Sequence, residues 1–338
     1  MANNRIFYAC QAVAICKMGH TPTGGTSATC KFMKGIQSVG ITTNFTLDQA
    51  YEMGQIQIYQ NSEEIADVEV TLEKVIDGEP LIYPSAAGAV ASTNLVSAGN
   101  NRCDVYLAVY ADSVSAVADA TPVQVCMCSG MYVSSVSYTF PVDGNATESV
   151  TLVGNDKFWS GRGDTVTDPT TSFGDPDTGL SGTDTPASGL VRRTNVDVAG
   201  STLPSEVITQ SSSATSRHIA SISVSADFGR DNILELGRFG PYFRYATYPF
   251  EVTSEFEVTA TSGDLVNVSG SHPNLSNHNI IIKDSAGTVL DLGTQNKLSS
   301  VSYSGGDTGG GNATITYSYS TFNDLKVHGG KDSNGYYS

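Results

Sequence analysis

At 338 residues the chain is long enough for two domains of ordinary size. Charged residues make up only 15%, while Gly, Ser and Thr abound and Val and Tyr recur in short alternating runs, a texture that suits short strands joined by turns rather than long amphipathic helices. A formal net charge of −16 argues against non-specific capture of nucleic acid, because phosphates attract Lys and Arg and repel carboxylates, although a duplex could slide past without being held.

The N-terminus opens with Met1-Ala-Asn-Asn-Arg5 and an apolar run from Ile6 to Cys16 that imitates a signal peptide. Gln11 interrupts the run and Lys17 follows it directly, so it reads as a first strand. No stretch approaches the roughly 20 apolar residues of a membrane helix, and no membrane anchor is expected. All six cysteines, Cys10, Cys16, Cys30, Cys103, Cys126 and Cys128, fall in the first half. Cys126 and Cys128 would share one strand face, without the second C-x-x-C pair of a zinc ribbon. The cysteines are expected to be reduced and free of metal, as buried thiols.

The chain resembles itself. Ile36-Gln-Ser-Val-Gly-Ile-Thr-Thr-Asn-Phe45 lines up with Ile219-Ala-Ser-Ile-Ser-Val-Ser-Ala-Asp-Phe228. On the same spacing Glu52-Met53-Gly54 meets Glu235-Leu236-Gly237, and Tyr59 meets Tyr242. After a one-residue slip Glu69-Val-Thr-Leu-Glu73 meets Glu251-Val-Thr-Ser-Glu255. Ser134-Ser-Val-Ser-Tyr138 recurs as Ser299-Ser-Val-Ser-Tyr303, and Gly144-Asn-Ala-Thr147 as Gly311-Asn-Ala-Thr314. One such match is ordinary among Ser/Thr/Val-rich strands; all of them in one order indicate an internal duplication. The expectation is an all-β chain of two tandem sandwich or barrel-forming modules, residues 1–160 and 188–328. Residues 161–187, rich in Gly, Asp, Thr, Ser and Pro, read as a linker or loop, and 329–338 as a flexible tail.

Within the first matched strand Val39, Ile41 and Phe45 share one face, as do Ile222, Val224 and Phe228 in the second copy; these six are the candidate core-facing residues. In the next matched strand Glu69, Thr71 and Glu73 oppose Val70 and Leu72, and Glu251, Thr253, Glu255 and Glu257 oppose Val252, Phe256 and Val258. Both copies thus present a polar face with carboxylates and little cation, either a solvated exterior or a functional acidic wall.

Motifs of chemistry are weak. Glu at alternate strand positions brings carboxylates together, as paired-acid glycosidases require, but nothing marks one as a proton donor. His20, His218, His272, His278 and His328 are scattered without ligand spacing, and there is no nucleophile elbow or phosphate loop. Asp175-Pro-Asp177-Thr-Gly179 lacks the later bidentate Glu of a calcium loop and reads as turn chemistry. Arg162-Gly163-Asp164 begins the linker, and the sequons at Asn44, Asn145, Asn267, Asn274 and Asn312 lie in strand- and turn-like contexts. No catalytic residue, cofactor or metal is expected.

Gly35-Ile-Gln-Ser-Val-Gly-Ile-Thr-Thr-Asn-Phe45, Glu52-Met-Gly-Gln-Ile-Gln-Ile-Tyr59, Asp67-Val-Glu-Val-Thr-Leu-Glu-Lys-Val75, Tyr138-Thr-Phe-Pro-Val-Asp-Gly-Asn145 and Glu235-Leu-Gly-Arg-Phe-Gly-Pro-Tyr242 resemble segments of the tail tube proteins of tailed bacteriophages. The resemblance covers most of both copies and rests on strand texture. It implies small β-sandwiches whose strands join those of neighbouring subunits in rings, stacked into a hollow tail within the virion and assembled in the host cytoplasm. Such subunits usually carry one module and form hexamers; a double module implies trimeric rings of pseudo-sixfold symmetry. Sheath, baseplate and tail-terminator proteins are the implied partners, and DNA would pass without specific binding. On this reading Glu69, Thr71, Glu73, Glu251, Thr253, Glu255 and Glu257 line the lumen. The alternative is an adhesin or carbohydrate-binding β-sandwich, such as a tail fibre or surface module. A lectin would display aromatic platforms, whereas the single tryptophan, Trp159, has no counterpart in the second copy.

Overall fold

A computed structural model describes residues 5–20, 30–88, 94–111, 122–161, 189–201, 203–204, 207, 218–238, 240–264, 266, 275–306, 308 and 310–328. The chain is nearly all β, 56% strand and 7% helix, and all the described strand pairs are antiparallel. Among the described residues no helix is long and apolar enough to cross a membrane.

The first half contains β1 (Gln11–Lys17), β2 (Cys30–Phe32), β3 (Ile36–Asn44), β4 (Leu47–Tyr51), β5 (Ile58–Glu63) and β6 (Asp67–Val75). Two short helices, α1 (Ile82–Ala87) and α2 (Leu95–Ala98), lead to β7 (Cys103–Val109), β8 (Gln124–Pro141), β9 (Thr147–Gly154) and β10 (Asp156–Gly161). The second half contains β11 (Val196–Ser201), β12 (Ile219–Asp227), β13 (Arg230–Ile233), β14 (Phe243–Ala246) and β15 (Glu251–Thr259). It ends with β16 (Asn279–Asp284), β17 (Val289–Asp291), β18 (Lys297–Ser304), β19 (Thr314–Phe322) and β20 (Lys326–His328).

One continuous path of eight strands runs β3-β6-β9-β8-β12-β15-β19-β18. Its second quartet repeats the order of its first, with the matched segments in corresponding strands. The halves meet edge to edge where β8 pairs with β12, Val224 opposite Tyr138 and Asp227 opposite Ser135. The expected linker lies outside the described residues except for Gly161, the last residue of β10, and the expected tail lies wholly outside them. Val191, inside the expected second module, is laced to the first half: its N–H donates to Ile76 O and its carbonyl accepts from Ala146 N, both at 2.9 Å.

The 18-residue β8 serves two sheets. Its N-terminal part pairs with β7 and β10, continuing through β1 to β2, and its C-terminal part pairs with β9 and β12. The strand changes sheet next to Gly130, whose φ of +65° suits a residue without a Cβ. Asp104 holds this corner: Oδ1 accepts from Gly130 N at 2.8 Å and Ser129 Oγ at 2.9 Å, and Oδ2 from Gly19 N at 2.6 Å.

A small sheet, β11-β16-β17-β20, accompanies the second half. One buried apolar cluster joins Val70, Leu72, Val150 and Leu152 of the long sheet to Val13, Ile15 and Leu107 of the outer strands and Leu81 to Tyr83 at α1. It continues through Ile222, Val224, Phe256 and Ile315 to Val198, Ile282 and Leu290. The period-two pattern accounts for this, since alternate residues of each strand reach the shared core.

Three expectations are corrected. Cys16 and Cys30, directly opposite in the β1–β2 pair, form a disulfide across a sequence separation of 14, so not all six thiols are reduced; Cys10, Cys103, Cys126 and Cys128 are free and buried. The pairing of these strands, invisible in the spacing of the cysteines, brings the two thiols together. Phe45 does not face the core: it is 66% exposed, whereas Phe228 is 1% exposed. Phe228 sits at the joint against Tyr83 and Phe250, while Phe45 follows the edge strand β3 and has no such ring contact among the described residues. Of the other candidates, Ile222 and Val224 are buried, and Val39 and Ile41 are partly buried against the core.

The third correction concerns alignment. Gly40 pairs with Thr71, but its counterpart Ser223 pairs with Glu255. The structure therefore matches Asp67 to Glu251, Glu69 to Thr253, Thr71 to Glu255 and Glu73 to Glu257, two residues from the sequence alignment. With that shift the β6–β9 and β15–β19 ladders also correspond: Thr71 opposes Thr151, and Glu255 opposes Ser318. Irregularities recur at matched places, between Ile36 and Ser38 and between Ile219 and Ser221, then between Val133 and Ser135 and between Leu298 and Ser300.

Candidate functional surface

The long sheet has one apolar face, packed on the core, and one polar face. Glu69, Thr71 and Glu73 lie on the polar face, each exposed or half-buried, and so do Glu251, Thr253, Glu255 and Glu257. Alternation places them there, because Val68, Val70, Leu72, Val252, Phe256 and Val258 point the other way and are buried.

Strand pairing extends this surface beyond the residues that alternation in β6 and β15 identifies. Glu73 is flanked by Ser38 and Ser149, and Thr71 by Gly40 and Thr151. Ser149 then meets Ser137, which meets Ser225, which meets Thr253. One row lower, Thr139 leads to Ser223, Glu255, Ser318 and Ser300. Asp227, opposite Glu251, and Asp67, opposite Asn44, add carboxylates. The repeated Ser-Ser-Val-Ser-Tyr segments carried this signal, since their alternate serines must share a face; which strands would flank them was not readable.

Hydroxyls tether the carboxylates. Ser38 Oγ donates to Glu73 Oε2 at 3.3 Å, Ser221 Oγ to Glu257 Oε2 at 3.1 Å, and Ser320 Oγ to Glu251 Oε1 at 3.1 Å. Ser318 Oγ donates to Glu255 Oε1 at 3.4 Å, and the Ser225 and Thr253 hydroxyls are 2.8 Å apart. The short side chains thus lie against the sheet and against each other. Cations are nearly absent. Among the described residues paired across this face only Lys297, opposite Ser320 at a corner, is basic, and its Nζ donates to Leu275 O. Lys74 lies on the other side, fully buried, donating to Lys34 O and Asp77 Oδ1, each at 2.7 Å.

Two hairpins project where the sheet's first and fifth strands end. β13–β14 lies across the joint: Arg244, 6% exposed, pairs with Asp67 and donates through Nε to Asn155 Oδ1 at 3.1 Å, and Ala246 N donates to Asn100 Oδ1 at 3.2 Å. Arg230 donates to Val133 O and stacks over Tyr132 and Phe228. Its counterpart β4–β5 has the same register, Leu47 opposite Glu63 as Arg230 is opposite Ala246. Every residue of β4 and β5 is exposed.

No protein-family model matches the chain, and no curated protein matches it. A similar solved structure is a chain of the anti-feeding prophage (AFP) baseplate, determined by cryo-EM and 6-fold symmetrised. The two are 12% identical with a TM-score of 0.34, over 48% of this chain and 100% of that one.

Proposed function

We propose that the chain is a structural virion protein, not an enzyme, and that it assembles into stacked rings forming a hollow tail tube through which DNA passes during ejection. The observation that carries this reading is the polar face itself: an eight-stranded surface rich in Ser, Thr and carboxylates, whose own strands add one basic residue, Lys297 at a corner, and whose edge residue Asp67 is paired with Arg244 of the β13–β14 hairpin. A wall of this chemistry offers phosphate little counter-charge, and polymer can move along it without adhering. Glu69, Thr71, Glu73, Glu251, Thr253, Glu255 and Glu257 would line the lumen. Three chains, each filling two of six equivalent places, would close one ring. Sheath, baseplate or terminator proteins would contact the outside and ends.

Replacing Glu69, Glu73, Glu251 and Glu255 together by Lys tests the assignment, because all four side chains stand on the face that does not touch the core. Electron microscopy should show tubes of ordinary length, and DNA release from variant particles should slow. Release at the normal rate would refute the lumen assignment, and isolated monomers from the unmodified chain would refute the tube.

A further inference from the structure

The joint inside the chain is a template for a joint between chains. In the long sheet β8 and β12 pair in the middle, while β18 and β3, which occupy the corresponding places in the two quartets, stand at opposite ends with one partner strand each among the described residues. Their own residues carry little of the usual edge protection: β3 has no Pro and no charged residue, and β18 has only Lys297 at its start.

We infer that β18 of one copy pairs antiparallel with β3 of a second copy in the register of the β8–β12 joint. The pairs Val224–Tyr138, Ser225–Ser137, Ala226–Val136 and Asp227–Ser135 become Ile41–Tyr303, Thr42–Ser302, Thr43–Val301 and Asn44–Ser300. This rests on the self-assembly reading above and specifies its contact.

A second observation points to the same partner. At the internal joint Phe228 is buried and β13–β14 folds onto the first half through Arg244, paired with Asp67 of β6, and Ala246, bonded to Asn100. At the open end Phe45 is exposed, and the counterparts of Arg244 and Ala246, Asn61 and Glu63, are exposed too. Leu47, the counterpart of Arg230, adds exposed apolar surface there, whereas Tyr51, Met53 and Tyr59 carry no weight because their counterparts Leu234, Leu236 and Tyr242 stay exposed beside the formed joint. An open edge with a free arm at one end of the sheet matches the other end of a second copy, which has an open edge and no such arm, so that copy's second half is the occupant.

The test is a full-length T42C/S302C variant, oxidised mildly and run on a non-reducing gel, beside S38C/S302C, which is four residues out of register. Covalent ladders of whole chains are expected from the first and not from the second. Assemblies visible by microscopy that give no ladder, or equal ladders from both variants, would overturn the register while leaving the tube proposal standing. A chain that sediments as a monomer at every concentration would overturn both. F45D provides an independent arm: the lone chain should keep its melting temperature and lose about tenfold or more in assembly. Unchanged assembly would count against the arm's role.

Discussion

The ring of Phe228, from the second half, lies 5.9 Å from the ring of Tyr83, from the first, so the two halves share one core at their joint. Phe45 holds the matching sequence position, yet its side chain meets solvent. One aromatic residue is therefore structural and its twin is not, in the isolated chain.

That difference is measurable. F228A should cost about 3–5 kcal/mol, from lost apolar transfer and the cavity left behind. F45A should stay within about 0.5 kcal/mol, as surface substitutions do. Denaturant titration of unassembled protein would compare them, and equal losses would contradict the packing described.

The buried Lys74–Asp77 pair makes a second prediction. Among the described residues Lys74 Nζ donates to Lys34 O and Asp77 Oδ1, and Asp77 Oδ1 also accepts from Glu79 N at 3.1 Å. D77A strands an ammonium group in the core and should cost about 3–5 kcal/mol. K74M/D77A removes both charges and should recover much of that loss. A double variant as unstable as the single one would show that the charge is not the cause.

Glu148 ties α1 to the long sheet. Its Oε2 accepts from Ile82 N at 2.6 Å, and its Oε1 from Tyr83 N and Tyr138 Oη, both at 3.0 Å. Burial pushes its carboxyl above the ordinary value, against the pull of these donors and of Lys74. A carboxyl raised on folding contributes stability that is fully present below its unfolded value and is lost as pH rises through the folded one. Melting curves from roughly pH 4 to 8 should show the native chain falling relative to E148Q as pH rises. A constant gap would exclude Glu148 as the titrating group.

The Cys16–Cys30 bond should appear as a loss of two hydrogens in the non-reduced intact mass, in one fragment linking β1 to β2. C16S/C30S should lower stability by about 3 kcal/mol, as closure of a loop of this size implies. Six alkylatable thiols in the unreduced, denatured chain would disprove the bond.

Much of this was legible in the chain itself. The all-β class followed from composition and turn frequency. The polar faces followed from alternation, which has a period of two; sliding β6 against β15 by two residues leaves every Glu on the same side. That is why the same residues share a polar face although Glu69 was matched to Glu251 instead of Thr253.

Alternation, a repeated order of segments and an acidic, cation-poor pattern are local properties, written in residue types and their spacing, and the sequence determines them unaided. Which strands are neighbours is a different kind of fact. The β8–β12 joint, the two-residue register, the meeting of Cys16 with Cys30 and the opposite fates of Phe45 and Phe228 all depend on contacts between residues far apart in the chain. Only the tertiary structure decided these, because two strands with the same pattern become a buried centre or an open edge according to what packs beside them.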